Sequence, residues 1–201
     1  MNLRETMLAE QQLKALFEQA KGYAFEYAEA IADRAVFPTP QAIADLEQFV
    51  EAMPGHPGDA SSILQQLHDY GSPASVAQTG GRYFGFVNGG IIPVTLATKW
   101  LTDFWDQNTA LQLMSPITSK LEEVCQRWLQ QLLGLPDTTV AGFVSGTSSA
   151  IFCGLAAARL RIYGNHGWDF NQQGHNGAPP IRIIAGRHTH GAVIKAIALL
   201  G

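Results

Sequence analysis

Ser145-Gly146-Thr147-Ser148-Ser149-Ala150 is the stretch of this sequence whose residue types best suit an anion. The apolar run before it, residues 140–144 (VAGFV), reads as a short buried strand, and residues 150–161 (AIFCGLAAARLR) read as a helix packed on that strand. The joint is then a helix N-terminus, where free backbone N–H groups, the positive end of the helix dipole and three hydroxyls converge. A bland alternative is a tight connection in which small residues only permit close packing. Neither GxxxxGK[ST] nor a GxGxxG at this joint is present, which argues against a P-loop or a dinucleotide site and leaves a compact phosphate.

A second apolar run, residues 181–185 (IRIIA), ends in Arg187-His188-Thr189-His190 and leads into a helix over residues 191–200. His190 either caps that helix or lies against a flat cofactor, since an imidazole can stack on a pyridine ring and keep its nitrogens for hydrogen bonds. With a phosphate seat nearby, pyridoxal phosphate is among the groups such a pair could hold. His188 points elsewhere if the segment is extended. The histidines at 166, 175, 188 and 190 match no zinc spacing and have no acidic neighbour, so no metal is expected. Lys195 has the chemistry of a Schiff-base lysine, but its place within an amphipathic helix reads as solvated. Asp106, Gln107 and Asn108 follow Trp105 beside other large apolar residues, or form an exposed polar end. No Ser-His-Asp set and no pair of catalytic carboxylates stands out.

The elements that must position these residues follow from periodicity. Residues 3–35 carry apolar positions at helical spacing, with a break expected near Gly22. Thr39-Pro40 reads as cap and first turn of a helix to Met53, and Asp59 caps residues 60–70. Residues 71–90 (GSPASVAQTGGRYFGFVNGG) form a glycine-rich loop whose Tyr83, Phe84 and Phe86 offer flat walls. Helices follow over about 93–113 and from Ser115-Pro116 to Leu133, stopped by Gly134 and Pro136. Alternating helices and strands imply an α/β layer with a parallel sheet, whose ligands gather at the strand carboxyl ends.

Composition sets the outer bounds. With 201 residues, 46% hydrophobic and 15% charged, the chain can bury a core. A net charge of -4 gives no basic footprint for nucleic acid or an anionic membrane. No apolar run reaches membrane-spanning length and the N-terminus lacks a signal peptide's apolar block, so a cytoplasmic address is expected. Cys125 and Cys153 lie in apolar helical sequence and are expected to be buried free thiols.

In order along residues 50–201, GRYFGFVNGG (81–90), WDQN (105–108), the SP…LE…WL…LGLP pattern (115–136), GFVSGTSSA (142–150) and AGRHTHGAVIKA (185–196) resemble the N-terminal half of the group II pyridoxal-phosphate-dependent decarboxylases. The resemblance is to aromatic-L-amino-acid and glutamate decarboxylases. It implies the aspartate-aminotransferase-like fold (fold type I), here an incomplete large domain over 76–201 preceded by a helical, dimer-forming segment over 1–75. By the same resemblance Thr147 and Ser148 match the phosphate turn and His190 the ring-stacking histidine. Phe84, Phe86 and Asn88 match the substrate pocket, and Asn108 approaches it. The family's turn carries a second glycine and an acidic residue where this chain has Thr147 and Ser149.

The implied activity is decarboxylation of an amino-acid substrate through an external aldimine on pyridoxal 5'-phosphate, in a cytoplasmic homodimer without metal, nucleic acid or membrane. The family's aldimine lysine and its pyridine-nitrogen aspartate fall after position 201, so a truncated or split polypeptide, inactive by itself, is expected. Alternatives are an aminotransferase or another lyase of the same fold, a noncatalytic subunit or pseudoenzyme pairing with a complete partner, and a phosphate-binding module without a covalent cofactor.

Overall fold

The computed structural model of the chain describes residues 2–56, 58–88 and 90–201. Gly89, within the glycine-rich loop, lies outside them. The described residues divide into two compact units, Met1–Trp105 and Asp106–Gly201.

In the first unit, α1 (Leu3–Gln11) begins at a reciprocal capping box between Asn2 and Glu5. The chain breaks at Gln12 and Leu13, and α2 (Lys14–Ala30) then runs straight through Gly22, where the break was expected. One glycine, here half-buried, costs a helix only about 1 kcal/mol, too little to break α2. Thr39 caps α3 (Pro40–Ala44) by accepting from the Ala42 N–H at 3.1 Å. The helix expected to reach Met53 instead tightens into a 3₁₀ turn over Asp45–Phe49. Asp59 caps α4 (Ala60–Gln66), accepting from the Ser62 N–H at 2.8 Å, and α4 continues as a π turn over Leu67–Gly71.

Contacts remote in sequence fasten α4 and its π turn to α2 and the residues just after it. The Tyr23 ring stacks on His68 with centroids 4.0 Å apart, and Ser61 Oγ donates to Gln19 Oε1 at 2.7 Å. Arg34 lies over the Tyr27 ring at 4.4 Å while donating to the Ser72 carbonyl. The last helix of the unit, α5 (Pro93–Trp105), stops eight residues before the expected Leu113, and Asp106 beyond it takes a left-handed φ of 46°.

The second unit opens with α6 (Pro116–Leu133), whose end follows the reading closely. Gly134 takes φ 62°, and the Leu135 N–H returns to the Gln130 carbonyl at 2.9 Å, satisfying a last-turn acceptor. After it come α7 (Thr147–Asn165), the short α8 (Phe170–Gln173) and α9 (Gly191–Leu200). Val193, Ala196, Ile197 and Leu200 recur at helical spacing, and α9 turns this stripe inward, burying Ala196 and Leu200 as it packs on α7.

Among the described residues no strand forms. Residues 140–144 and 181–185, expected as buried strands, have no backbone ladder hydrogen bonds. An apolar run becomes a strand only when a neighbour supplies donors and acceptors, and these two segments do not pair with each other. The fold is therefore helical where a parallel sheet was expected.

The chain exposes 16118 Å². Two separate compact globules of half its mass would expose roughly 11,000 Å² between them. Extensive apolar faces are consequently uncovered, including Leu96, Trp100, Leu101 and Phe104 on α5. The thiols share this fate, for Cys153 on α7 is exposed and Cys125 half-buried, both free, where burial was expected. No described helix is long and apolar enough to cross a membrane.

Candidate functional site

Gly146 precedes α7 in an extended conformation, φ 177° and ψ 171°, and no side chain caps the helix. The first intrahelical bond at this end joins the Ala150 N–H to the Gly146 carbonyl at 3.0 Å. The N–H groups of Thr147, Ser148 and Ser149 come before it and have no intrahelical acceptor. All three residues are exposed, with no acidic residue in the first turn to compete for an anion. Donors, hydroxyls and the positive end of a 19-residue helix thus coincide.

His190 sits at the N-terminus of α9, the helix that packs on α7. Its backbone is extended, φ -60° and ψ 142°, and its Nδ1 accepts from the Ala192 N–H at 3.1 Å. The capping reading of this histidine is therefore realised, and the ring remains exposed. Just upstream, the Gly186 carbonyl accepts from both the N–H and the hydroxyl of Thr189, at 3.1 and 2.8 Å, which sets the direction of the chain entering His190.

Phe84, Phe86 and Asn88 belong to the first unit. Gly80 allows the loop's close approach to α2, because a Cβ there would meet the Ile31 and Ala77 carbonyl oxygens at 3.3 Å. Arg82 then donates to the Arg34 carbonyl, and Asn88 Nδ2 donates to the Tyr83 hydroxyl at 3.1 Å. Between these ties Phe86 and Val87 take left-handed φ values of 54° and 58°. For a β-branched residue such as Val87 this is strained, at roughly 1–2 kcal/mol. Phe84 and Phe86 are each 92% exposed, so within this unit they form no closed wall. Asn108, in the second unit, uses its Oδ1 to accept from the Ala110 N–H at 3.0 Å, a local turn.

Lys195 lies exposed in the middle of α9. Among the described residues no three of His, Cys, Asp or Glu gather as metal ligands.

One cluster escaped the sequence reading. Arg159 of α7 lies 4.0 Å above the Phe170 ring, donates to His175 Nε2 at 3.0 Å and also donates to the Leu200 carbonyl at the end of α9. Its sequence signal was slight, one of two arginines, with Arg161, after a run of three alanines and four residues before Tyr163. The cluster borders a cleft of about 480 Å³ lined largely by Leu155, Ile162, Ile181, Ile197 and Leu200. Neither Thr147, Ser148 nor His190 lines it. The cleft, between α7, α9 and the 178–184 segment, is thus apolar, with Arg159, His175 and Arg182 also in its wall.

No family model matches the chain. Among solved structures it is similar to mouse CSAD (cysteine sulfinic acid decarboxylase), a group II pyridoxal-phosphate decarboxylase, with a TM-score of 0.80 at 22% identity over 94% of this chain and 40% of that one. The apo form of mouse CSAD gives 0.80 at 21% identity, over 94% and 39%. The chain thus spans about two fifths of the length of the solved chains it matches. At this identity the likeness establishes the fold alone, that of about two fifths of the mouse CSAD chain.

Proposed function

We propose that the chain is the N-terminal portion of a pyridoxal-phosphate-dependent amino-acid decarboxylase, and that it seats the phosphate and one face of the cofactor ring. The observation that carries this reading is the uncapped, hydroxyl-rich N-terminus of α7 in a chain with a CSAD-like fold. The residues fit the group. Exposed N–H groups and the hydroxyls of Thr147 and Ser148 suit a dianionic phosphate, and the exposed, backbone-held imidazole of His190 suits a flat ring.

Bound pyridoxal phosphate supplies an electron sink for the pair left behind when the α-carboxylate departs. The chain's own residues orient and hold. Thr147 and Ser148 fix the phosphate end and His190 keeps the ring in one plane, while the family resemblance assigns Phe84, Phe86, Asn88 and Asn108 to recognition of the amino-acid substrate. Residues 1–75 form the helical segment of a homodimer and residues 76–201 the first part of the cofactor-binding domain. The name of the solved neighbour makes cysteine sulfinic acid the first substrate to try.

A second reading, a noncatalytic subunit that pairs with a complete partner, is favoured by one observation, the large uncovered apolar area.

Two measurements test the proposal. Titrating the chain with pyridoxal 5'-phosphate, followed by the ligand's absorbance and phosphorus resonance, is expected to show binding that Thr147→Ala with Ser148→Ala weakens by well over tenfold, as loss of two hydrogen bonds to a charged group implies. Protein expressed from the full reading frame is expected to release carbon dioxide from an L-amino acid. Binding indifferent to the double substitution would overturn the phosphate seat. Cofactor binding without carbon dioxide release from any amino acid would favour the noncatalytic subunit.

A further inference from the structure

We infer that the backbone N–H of Ala192 is a positioning group for His190: by engaging Nδ1 it holds the neutral imidazole in the Nε2–H form and makes this histidine a hydrogen-bond donor toward an anionic oxygen, not a proton acceptor.

A neutral imidazole has one N–H and one lone pair. The Ala192 N–H approaches Nδ1 at 3.1 Å, and a backbone amide can only donate, so Nδ1 must carry the lone pair. The ring proton then resides on Nε2. Other contacts reinforce the arrangement. The His190 carbonyl accepts from the Val193 N–H at 2.9 Å, closing the first turn of α9. Thr189 is tied back to Gly186 through both N–H and hydroxyl, so the residue before the histidine is also held. Gly191, between the ring and its donor in sequence, has nothing within 4 Å of where a Cβ would stand.

The chemical consequence concerns Nε2. It is the free ring position, on an exposed side chain, and it presents a proton. A carboxylate or phosphate oxygen is the complementary partner, whereas an N–H or O–H group at the same place would meet a second donor. To act as a base His190 would have to take a proton on Nδ1, which removes the acceptor from Ala192 and uncaps α9. In its functional meaning the inference rests on the proposed cofactor role of His190, but the tautomer itself does not.

The test uses the 201-residue chain labelled with nitrogen-15, without cofactor, above the histidine titration range. A scalar coupling across the Ala192 N–H···Nδ1 bond and a single Nε2–H form are expected for His190. His188, whose ring makes no hydrogen bond among the described residues, is expected to show a tautomer mixture. No coupling, or a His190 mixture matching that of His188, would overturn the inference. Ala192→Pro, which deletes the donor, is expected to bring the two histidines to the same mixture, and an unchanged His190 would equally count against it. Should that variant disturb α9, His190→Asn retains an acceptor at the cap and His190→Leu does not. Exchange of the Ala192 amide is then expected to be roughly fivefold faster in the leucine variant than in the asparagine one, from the usual worth of a cap. Equal exchange in both would again sink it. Failure to bind pyridoxal phosphate would overturn only the proposed function, because none of these readouts involves the cofactor.

Discussion

Two helices that pack on one another, α7 and α9, begin in opposite ways. At α9 a side chain from the chain itself, His190, accepts from the Ala192 N–H. At α7 the residue in the same position is Gly146, which has no side chain, and the first N–H groups face outward beside three hydroxyls. A closed end stabilises its helix and fixes the group that closes it. An open end forgoes that stabilisation, usually about 1 kcal/mol, and keeps its donors for an external acceptor. The difference separates a positioning role from a binding role within one packed pair.

The largest effect is expected from closing the open end. Gly146→Asp fits sterically, since nothing lies within 4 Å of a Cβ there and the backbone is extended. The new carboxylate caps α7 and repels a phosphate, so affinity for pyridoxal phosphate should fall roughly tenfold or more by simple Coulomb repulsion. Helicity should not fall, which circular dichroism and a binding titration together would show. Unchanged affinity would mean that the anion seat lies elsewhere.

A smaller effect concerns the C-terminal end of α6, closed by backbone geometry alone. Gly134→Ala forces a Cβ into a φ of 62° and should cost about 1 kcal/mol of stability in a denaturant titration. Cofactor binding should be untouched, which sets this end apart from that of α7.

The smallest effect is one of pH. The Ser62 hydroxyl and N–H hold the Asp59 carboxyl below its ordinary value of 3.8. A lowered carboxylate contributes stability above its unfolded value, and the contribution disappears as pH falls through the folded one. Protection of the Ser62 amide should therefore persist at neutral pH and vanish only in acid below that value. Asp59→Asn, which keeps a capping oxygen without the titration, should flatten the profile.

Helix ends were the most legible part of the sequence. Thr39, Asp59 and Gly134 act on groups three or four residues away, so their chemistry is visible locally. Extents were harder to read. The apolar pattern after Pro40 runs on, yet the helix tightens at Asp45, and α5 ends at Trp105, before the polar run 106–109, although apolar residues resume at Ala110, Leu111 and Leu113. Strands were least legible, because VAGFV and IRIIA have the composition of strands but pairing depends on partners remote in sequence. For His190 two readings stood side by side, helix cap and cofactor face. The cap uses only Nδ1 and leaves the ring face and Nε2 exposed, so the cap itself does not exclude the second. Arg159 was invisible, since its partners lie 11 to 41 residues further along the chain.

The uncovered side of α5 has a consequence in time. Helices of this length form within about a microsecond, whereas synthesis adds only about 5–20 residues per second. Leu96, Trp100, Leu101 and Phe104 therefore line up in water as soon as their helix exists, long before any remote segment can shelter them. During that interval the nascent polypeptide displays the kind of surface that chaperones bind, and its yield in a cell should depend on them more than on the intrinsic strength of its helices.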